Sequence, residues 1–308
     1  MFHERGSSKF LTPGECVSLD RRVFVHRWNT GIIFLFALTG ILVLVLLTGF
    51  ILKEAIPSLL AVGGTFFTSP YWYPTCDPPE FGMLAMIVDS LLVTLLSSVF
   101  VLPLGYVTAF FLYEYATPRE QRMIKSAIDL LAGVPSVLIG SFFLLYVSPW
   151  MLRIGVYSPE NLLVASLALT ILALPYTASL MHEALCGVDR SLKEGALALG
   201  STRFTAGWKV VSRASLSGIL NAAVLTVNRI IGETMVVLMV AGGAAIIPLS
   251  LFDPVRPLTA AIASEMGEVE LHSLHYSALF SAGLILLSFS FLLTLASRKI
   301  VGKSNGKA

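Results

Sequence analysis

Arg229 and Glu233 stand four residues apart inside a long apolar run, 217–241. A charge in the middle of a bilayer costs roughly 2.5–3.5 kcal/mol on insertion scales, so ionisable residues there are kept for a reason. Four residues is one helical turn, which places both side chains on one face and lets them pair. The arginine offers a planar fork of donors suited to a tetrahedral oxyanion. Glu233 would then hold that fork in place or compete for it. The plainer alternative is a permanent ion pair that locks two helices together. Thr226 and Asn228 add polar groups to the same run. A second polar surface is expected at Gly133-Val134-Pro135-Ser136. Pro135 removes a backbone donor and clashes with the preceding turn, so the helix should kink or break between Gly133 and Pro135. The freed carbonyls, with the Ser136 hydroxyl, would line a cavity. Pro103-Leu104-Gly105 and Pro175-Tyr176 predict similar kinks in spans two and four.

A different chemistry is written in SLKEGALALG, residues 191–200. Ser191 and Glu194 have the S-x-x-E spacing of a capping box, and Gly200 is a natural stop. So short a helix gains stability by docking. With Leu192, Leu197 and Leu199 exposed, it either seats in a groove on a cytoplasmic partner or lies on the bilayer surface. Other signals fail. GKS near the end lacks the glycine five residues upstream, where Ser297 stands, so it is no phosphate-binding loop. His182, Glu183 and Cys186 give too few ligands for a metal. No Ser/His/Asp set falls in a soluble region, so hydrolytic chemistry and a resident cofactor have no place.

These residues must be positioned by membrane helices. The chain has 308 residues, 56% hydrophobic and 13% charged, about half the charge of a soluble domain. Six segments are long and apolar enough to cross a bilayer: 31–53, 84–113, 124–148, 161–182, 217–241 and 276–297. Seventeen Lys and Arg flank one side and three the other, which predicts that both termini, and the loops between spans two and three and between four and five, are cytoplasmic. The expected division is a cytoplasmic arm 1–30, a first span 31–53, an extracytoplasmic loop 54–83, a five-helix core 84–297 containing a cytoplasmic loop 184–216, and a tail 298–308. The outer loops carry Tyr71, Trp72 and Tyr73, and then Glu265, Glu268 and Glu270; the second begins with GGAAIIPLSLFDP, compatible with a re-entrant start. Cys16, Cys76 and Cys186 lie in separate segments and predict no disulfide framework. A net charge of +2 gives no sign of nucleic-acid binding.

EGALALG followed nine residues later by Val210 resembles the EAA motif of ABC-importer permeases. Glu194, Ala196, Gly200 and Val210 match it in identity or character. Gly195 replaces an alanine, and Ser212-Arg213 replaces the closing Leu-Pro. LLAGVPSVLIG, FLYEYATPRE and NRIIGETMVVLMVAGG resemble the permeases of the phosphate-specific importer, the C-type more than the A-type, over roughly residues 20–300. The resemblance implies an all-α integral membrane protein of six transmembrane helices with the type I (MetI-like) permease fold, in a prokaryotic inner membrane. It implies no ATP hydrolysis on this chain, ATP and Mg being held by a PstB-like cytoplasmic ATPase dimer. Glu194, Gly195, Ala196, Leu197, Leu199 and Gly200 would meet that ATPase. It further implies a second, PstA-like permease, a PstS-like phosphate-binding protein outside, and inorganic phosphate as cargo. Another oxyanion such as sulfate or molybdate, or a membrane component that mainly signals phosphate supply, remain the alternatives. A secondary transporter would need inverted repeats, which the sequence lacks.

Overall fold

The computed structural model describes the backbone of residues 13–305 and the side chains of 32–299. Cys16, the basic side chains of the N-terminal arm, Lys303 and Lys307 lie outside the described residues. The chain divides into two units, 1–53 and 54–308.

The first unit is the front of one helix, α1 (Pro13–Val62), with the apolar stretch from Ile32 onward exposed. This helix continues nine residues past the expected end of the first span.

The second unit holds everything else. After α1 come a single turn α2 (Thr65–Thr68) and a two-residue hairpin, β1 (Trp72–Tyr73) against β2 (Glu80–Phe81), antiparallel. Helix α3 (Leu84–Glu114) and helix α7 (Leu162–Cys186) are the central pair. Their sequences explain how close they lie. Gly105 has no side chain, and a Cβ there would stand 2.6 Å from Thr177 Cγ2. Without a hydrophobic force between helices in lipid, small residues of this kind are what let backbones approach. Ser90, Thr94, Ser97 and Ser98 each return their hydroxyl to the carbonyl four residues back, so these buried groups are satisfied within α3. Pro103 and Pro175 sit inside continuous helices, not at breaks.

Between these two lies the first departure from the sequence expectation. The segment expected as span 124–148 is two structures. Helix α4 (Pro118–Ala132) opens with a capping box, Thr117 taking the Glu120 amide and Glu120 taking the Thr117 amide, and it is amphipathic and largely exposed. It stops at Gly133, because Val134 precedes a proline and Pro135 offers no donor. The apolar span begins only at Ser136: α5 (Ser136–Phe142), a wider π-helical turn (Phe143–Val147) and α6 (Ser148–Arg153). The expected boundary failed because Ile124, Ile128 and Leu131 make a one-sided apolar stripe that, with Leu130 beside it, reads as membrane when averaged along the chain.

The loop after α7 forms α8 (Arg190–Ala198), a short turn α9 (Arg203–Thr205), a π-helical stretch (Ala206–Val211) and α10 (Ser212–Ala214). A bend of 71° leads into α11 (Leu216–Ile231). The expected span 217–241 is therefore interrupted: α11 ends at Gly232, and α12 (Met235–Val240) follows after Glu233 and Thr234. The backbone then loops back, with Val255 donating to the Ala241 carbonyl (2.7 Å), into α13 (Leu258–Glu265) and the last helix α14 (Leu274–Asn305).

Candidate functional site

The residues expected to act together are distributed over several surfaces. Glu233 lies beyond the end of α11, in the break before α12. The two charges thus do not share a helix face, and no ion pair joins them among the described residues, which corrects the four-residue pairing argument. Gly232 ends the helix one residue too soon for it. Glu233 is held by its backbone, whose carbonyl accepts from Thr259 Oγ1 at 3.0 Å. Arg229 occupies the last turn of α11, where a cation is favoured by the helix dipole. Its side chain is exposed, and its guanidinium rests 5.3 Å above the ring of Tyr176 on α7.

Thr226 and Asn228 point elsewhere. Thr226 is fully buried and shares a 3.0 Å hydrogen bond with Thr177. Asn228 donates to Thr294 Oγ1 on α14 at 3.1 Å. Both therefore bind α11 to its neighbours and do not share the open surface of Arg229. That surface is a stripe of Asn221, Leu225 and Arg229, one turn apart each. Ser136 is the first residue of α5, half-buried. Its helix meets α12 at Gly140, where a Cβ would stand 2.8 Å from Met239 Sδ.

On the side of α8 the geometry is tighter. Its N-cap is Asp189, whose carboxylate takes the Ser191 amide at 2.9 Å. Ser191 is thus inside the helix, and the expected capping box of Ser191 with Glu194 does not form. Asp189, two residues earlier, takes the cap because its carboxylate reaches the Ser191 amide. That hydrogen bond holds the Asp189 carboxyl below the usual carboxylate range. The other end is closed by a Schellman turn: the Ser201 amide donates to Ala196 O (3.1 Å) and the Gly200 amide to Leu197 O (2.9 Å). Gly200 has φ +84°, a conformation that side chains resist. Glu194, Gly195, Leu197 and Leu199 are exposed and Ala196 half-buried.

What fixes α8 to the membrane helices was not legible as a motif. Lys193 Nζ lies 2.8 Å from Glu114 Oε2 at the end of α3 and 4.7 Å from the centre of the Tyr113 ring. Phe110, Trp208 and Phe204 form edge-on and stacked contacts that fasten 203–211 to α3. Ser212, where the motif's Leu-Pro is absent, bonds Tyr106 Oη at 2.6 Å and the Gly207 carbonyl at 3.0 Å. A side-chain hydrogen bond to α3 therefore stands where the motif would place its leucine.

On the other side Glu265 is a hub. It accepts from Trp72 Nε1 (3.1 Å to both oxygens), Arg256 Nη2 (2.6 Å) and His275 Nε2 (2.6 Å). The Arg256 amide in turn donates to Asp89 Oδ2 at 2.8 Å. Asp89 was the available clue, a lone carboxylate in the apolar run IVDSLL.

Residues 101–304 match the family model described as the binding-protein-dependent transport system inner membrane component. The chain belongs to this permease family. Among similar proteins, a probable ABC transporter permease protein YqgH of Bacillus subtilis (strain 168) is 34% identical over 85% of this chain and 86% of its own. The phosphate transport system permease proteins PstC of Pasteurella multocida and Mesorhizobium japonicum are 31% and 32% identical, covering 82% and 84% of this chain and 87% and 85% of theirs. In fold the permease resembles a chain of the inward-facing MetNI methionine ABC transporter (TM-score 0.57, 21% identity, 75% of this chain and 99% of that one). It also resembles a chain of a bacterial alginate ABC transporter (TM-score 0.61, 14% identity, 92% and 97%). The all-α, five-to-six-span architecture is that of a type I importer permease, and the permease is a multi-pass inner-membrane component that works with an ATPase and a substrate-binding protein.

Proposed function

We propose that this permease forms half of the pathway of an ATP-driven importer for inorganic phosphate. Relatives named as phosphate transport permeases, similar over more than four fifths of both chains, support the cargo. The observation that carries the reading is Arg229: a guanidinium exposed on a membrane helix, with an aromatic ring as its described contact and no carboxylate. Left in lipid it would be costly, so a second permease and the passing anion are its natural neighbours. A ring is a weak partner, and it leaves the fork available to phosphate. Glu233, in the break beyond α11, puts a carboxylate further along the pathway that discourages trapping, and Ser136 adds a hydroxyl. Thr226 and Asn228 serve by holding α11 to α7 and α14.

In this reading a PstA-like permease completes the pathway, a PstB-like ATPase dimer carrying ATP and Mg grips α8 through Glu194, Gly195, Ala196, Leu197, Leu199 and Gly200, and a PstS-like protein delivers phosphate to the outer loops. Both termini are cytoplasmic, with 1–30, 184–216 and 298–308 on that side. Gly133 and Pro135 free α4 from the span so that it can follow the ATPase.

The test is radiolabelled phosphate uptake by cells carrying the assembled importer, with sulfate and molybdate as competitors. Arg229→Ala should lose uptake at least tenfold while the complex still assembles, and neither competitor should suppress the wild type. Normal uptake by Arg229→Ala removes Arg229 from the pathway. Suppression by sulfate or molybdate reassigns the cargo.

A further inference from the structure

A cavity of about 560 Å³ opens where α8 meets the cytoplasmic ends of α3, α4 and α7. Four cations from three separate segments line it: Lys125 of α4, Arg190 and Lys193 of α8, and Arg203 at the start of α9. A cytoplasmic bias of Lys and Arg accounts for their side of the membrane but not for their convergence on one cavity. Two carboxylates oppose them, Glu114 and Glu194, and Glu114 is already engaged by Lys193. Among the described residues, Lys125, Arg190 and Arg203 make no ion pair. His182, 6% exposed, closes the inner wall, its Nε2 3.5 Å from Cys186 Sγ.

We propose that this cavity binds a phosphate-type dianion on the cytoplasmic side and thereby ties α8 to the membrane helices. The surplus of two positive charges matches a phosphate or phosphomonoester, which carries about −1.5 to −2 near neutral pH, better than a singly charged diester. Arginine and lysine together suit it, forked and point donors meeting tetrahedral oxygens. The volume exceeds that of one anion, which leaves room for its hydration. A dianion bridging α4, α8 and α9 fixes the helix that meets the ATPase in one pose, so its accumulation inside slows coupling. The binding claim stands apart from the cargo: it needs only the cavity.

The chemistry has two sources, free phosphate and the phosphomonoester headgroup of phosphatidic acid. The assembled importer, without binding protein, is placed in nanodiscs of neutral lipid, and radiolabelled inorganic phosphate is titrated. An Arg229→Ala background removes any contribution from the pathway. Saturable binding that survives Arg229→Ala and weakens at least tenfold in Lys125→Gln/Arg190→Gln supports free phosphate. Phosphatidic acid retained in native mass spectra of the wild type, and lost in the double variant, supports the headgroup. Both substituted side chains are exposed, and unchanged assembly and melting temperature verify the variants. Neither ligand binding, or binding unaltered in the double variant, overturns the proposal. So does binding to the permease pair alone that vanishes when the ATPase joins, since a carboxylate of the ATPase then occupies the cavity. Loss of uptake in Arg229→Ala leaves every one of these outcomes readable.

Discussion

Lys193 on α8 reaches Glu114 at the end of α3, 2.8 Å between charged atoms, with the glutamate side chain 1% exposed. One ion pair thus joins the short helix α8 to a helix long and apolar enough to cross the membrane. Removing Lys193 leaves a buried carboxylate without its cation, which costs about 3 kcal/mol, the lower end for a buried pair because the lysine is partly exposed. Lys193→Ala should lower the melting temperature of the purified complex, and Lys193→Met/Glu114→Leu should recover most of it. Additive losses in that double-mutant cycle would show that the pair is not coupled.

The cap of α8 predicts a pH dependence. The Asp189 carboxyl is held below its ordinary value by the Ser191 amide, so the folded state binds its proton less readily than the unfolded chain. Its contribution is therefore complete above the ordinary carboxylate range and lost as pH falls through the depressed value. Amide protection across 190–198, corrected for intrinsic exchange, should drop on acidification in the wild type. It should be low at every pH in Asp189→Ala and flat with pH in Asp189→Asn, which keeps an accepting oxygen.

Gly200 is the stop of the same helix, at φ +84°. Gly200→Val should uncouple ATP hydrolysis from binding protein several-fold, because a β-branched residue resists that conformation by about 1–2 kcal/mol. Gly200→Asn should lie between, since asparagine tolerates it. Equal stimulation of the ATPase in all three would mean that the Schellman turn is irrelevant to coupling.

Gly105 sets the spacing of the central helix pair. A Cβ there meets Thr177 at 2.6 Å, so Gly105→Val should destabilise the complex by about 1–3 kcal/mol through overpacking. Thr177→Ala removes the clashing methyl but also the bond to Thr226, so the double variant should recover only part of that loss. Thermal unfolding of the two singles and the double decides it.

The long apolar helices were legible because twenty apolar residues have few other uses: 84–113 and 161–182 match α3 and α7 within four residues, and 276–297 lies inside α14, which runs eight residues further. The broken elements were not. Hydropathy averages over a window, and it hid both the amphipathic α4 behind its leucines and the break at Gly232 behind the valines after it. The charge of Arg229 could be found by composition, since lipid makes it conspicuous. Its orientation could not, because Gly232 turns Glu233 away. Lys193 with Glu114 and Ser212 with Tyr106 join positions about eighty and one hundred residues apart, and no local pattern announces a pairing over that separation. Glu265 with Trp72 is the same case: the aromatic and acidic residues stood out in separate outer loops, and only the fold brings them together.

Helix α3 has a fixed attachment near each end. Near its last residue Glu114 holds Lys193; near its first, Asp89 holds the Arg256 amide that leads to Glu265, Trp72 and His275. Thirty-one helical residues make a rod of about 46 Å. Rocked by about 5° around its middle, such a rod carries each end about 2 Å, in opposite directions. A pull on Lys193 and a shift in the cluster of Asp89, Arg256 and Glu265 are then two readings of one lever, with Gly105 and Thr177 between them.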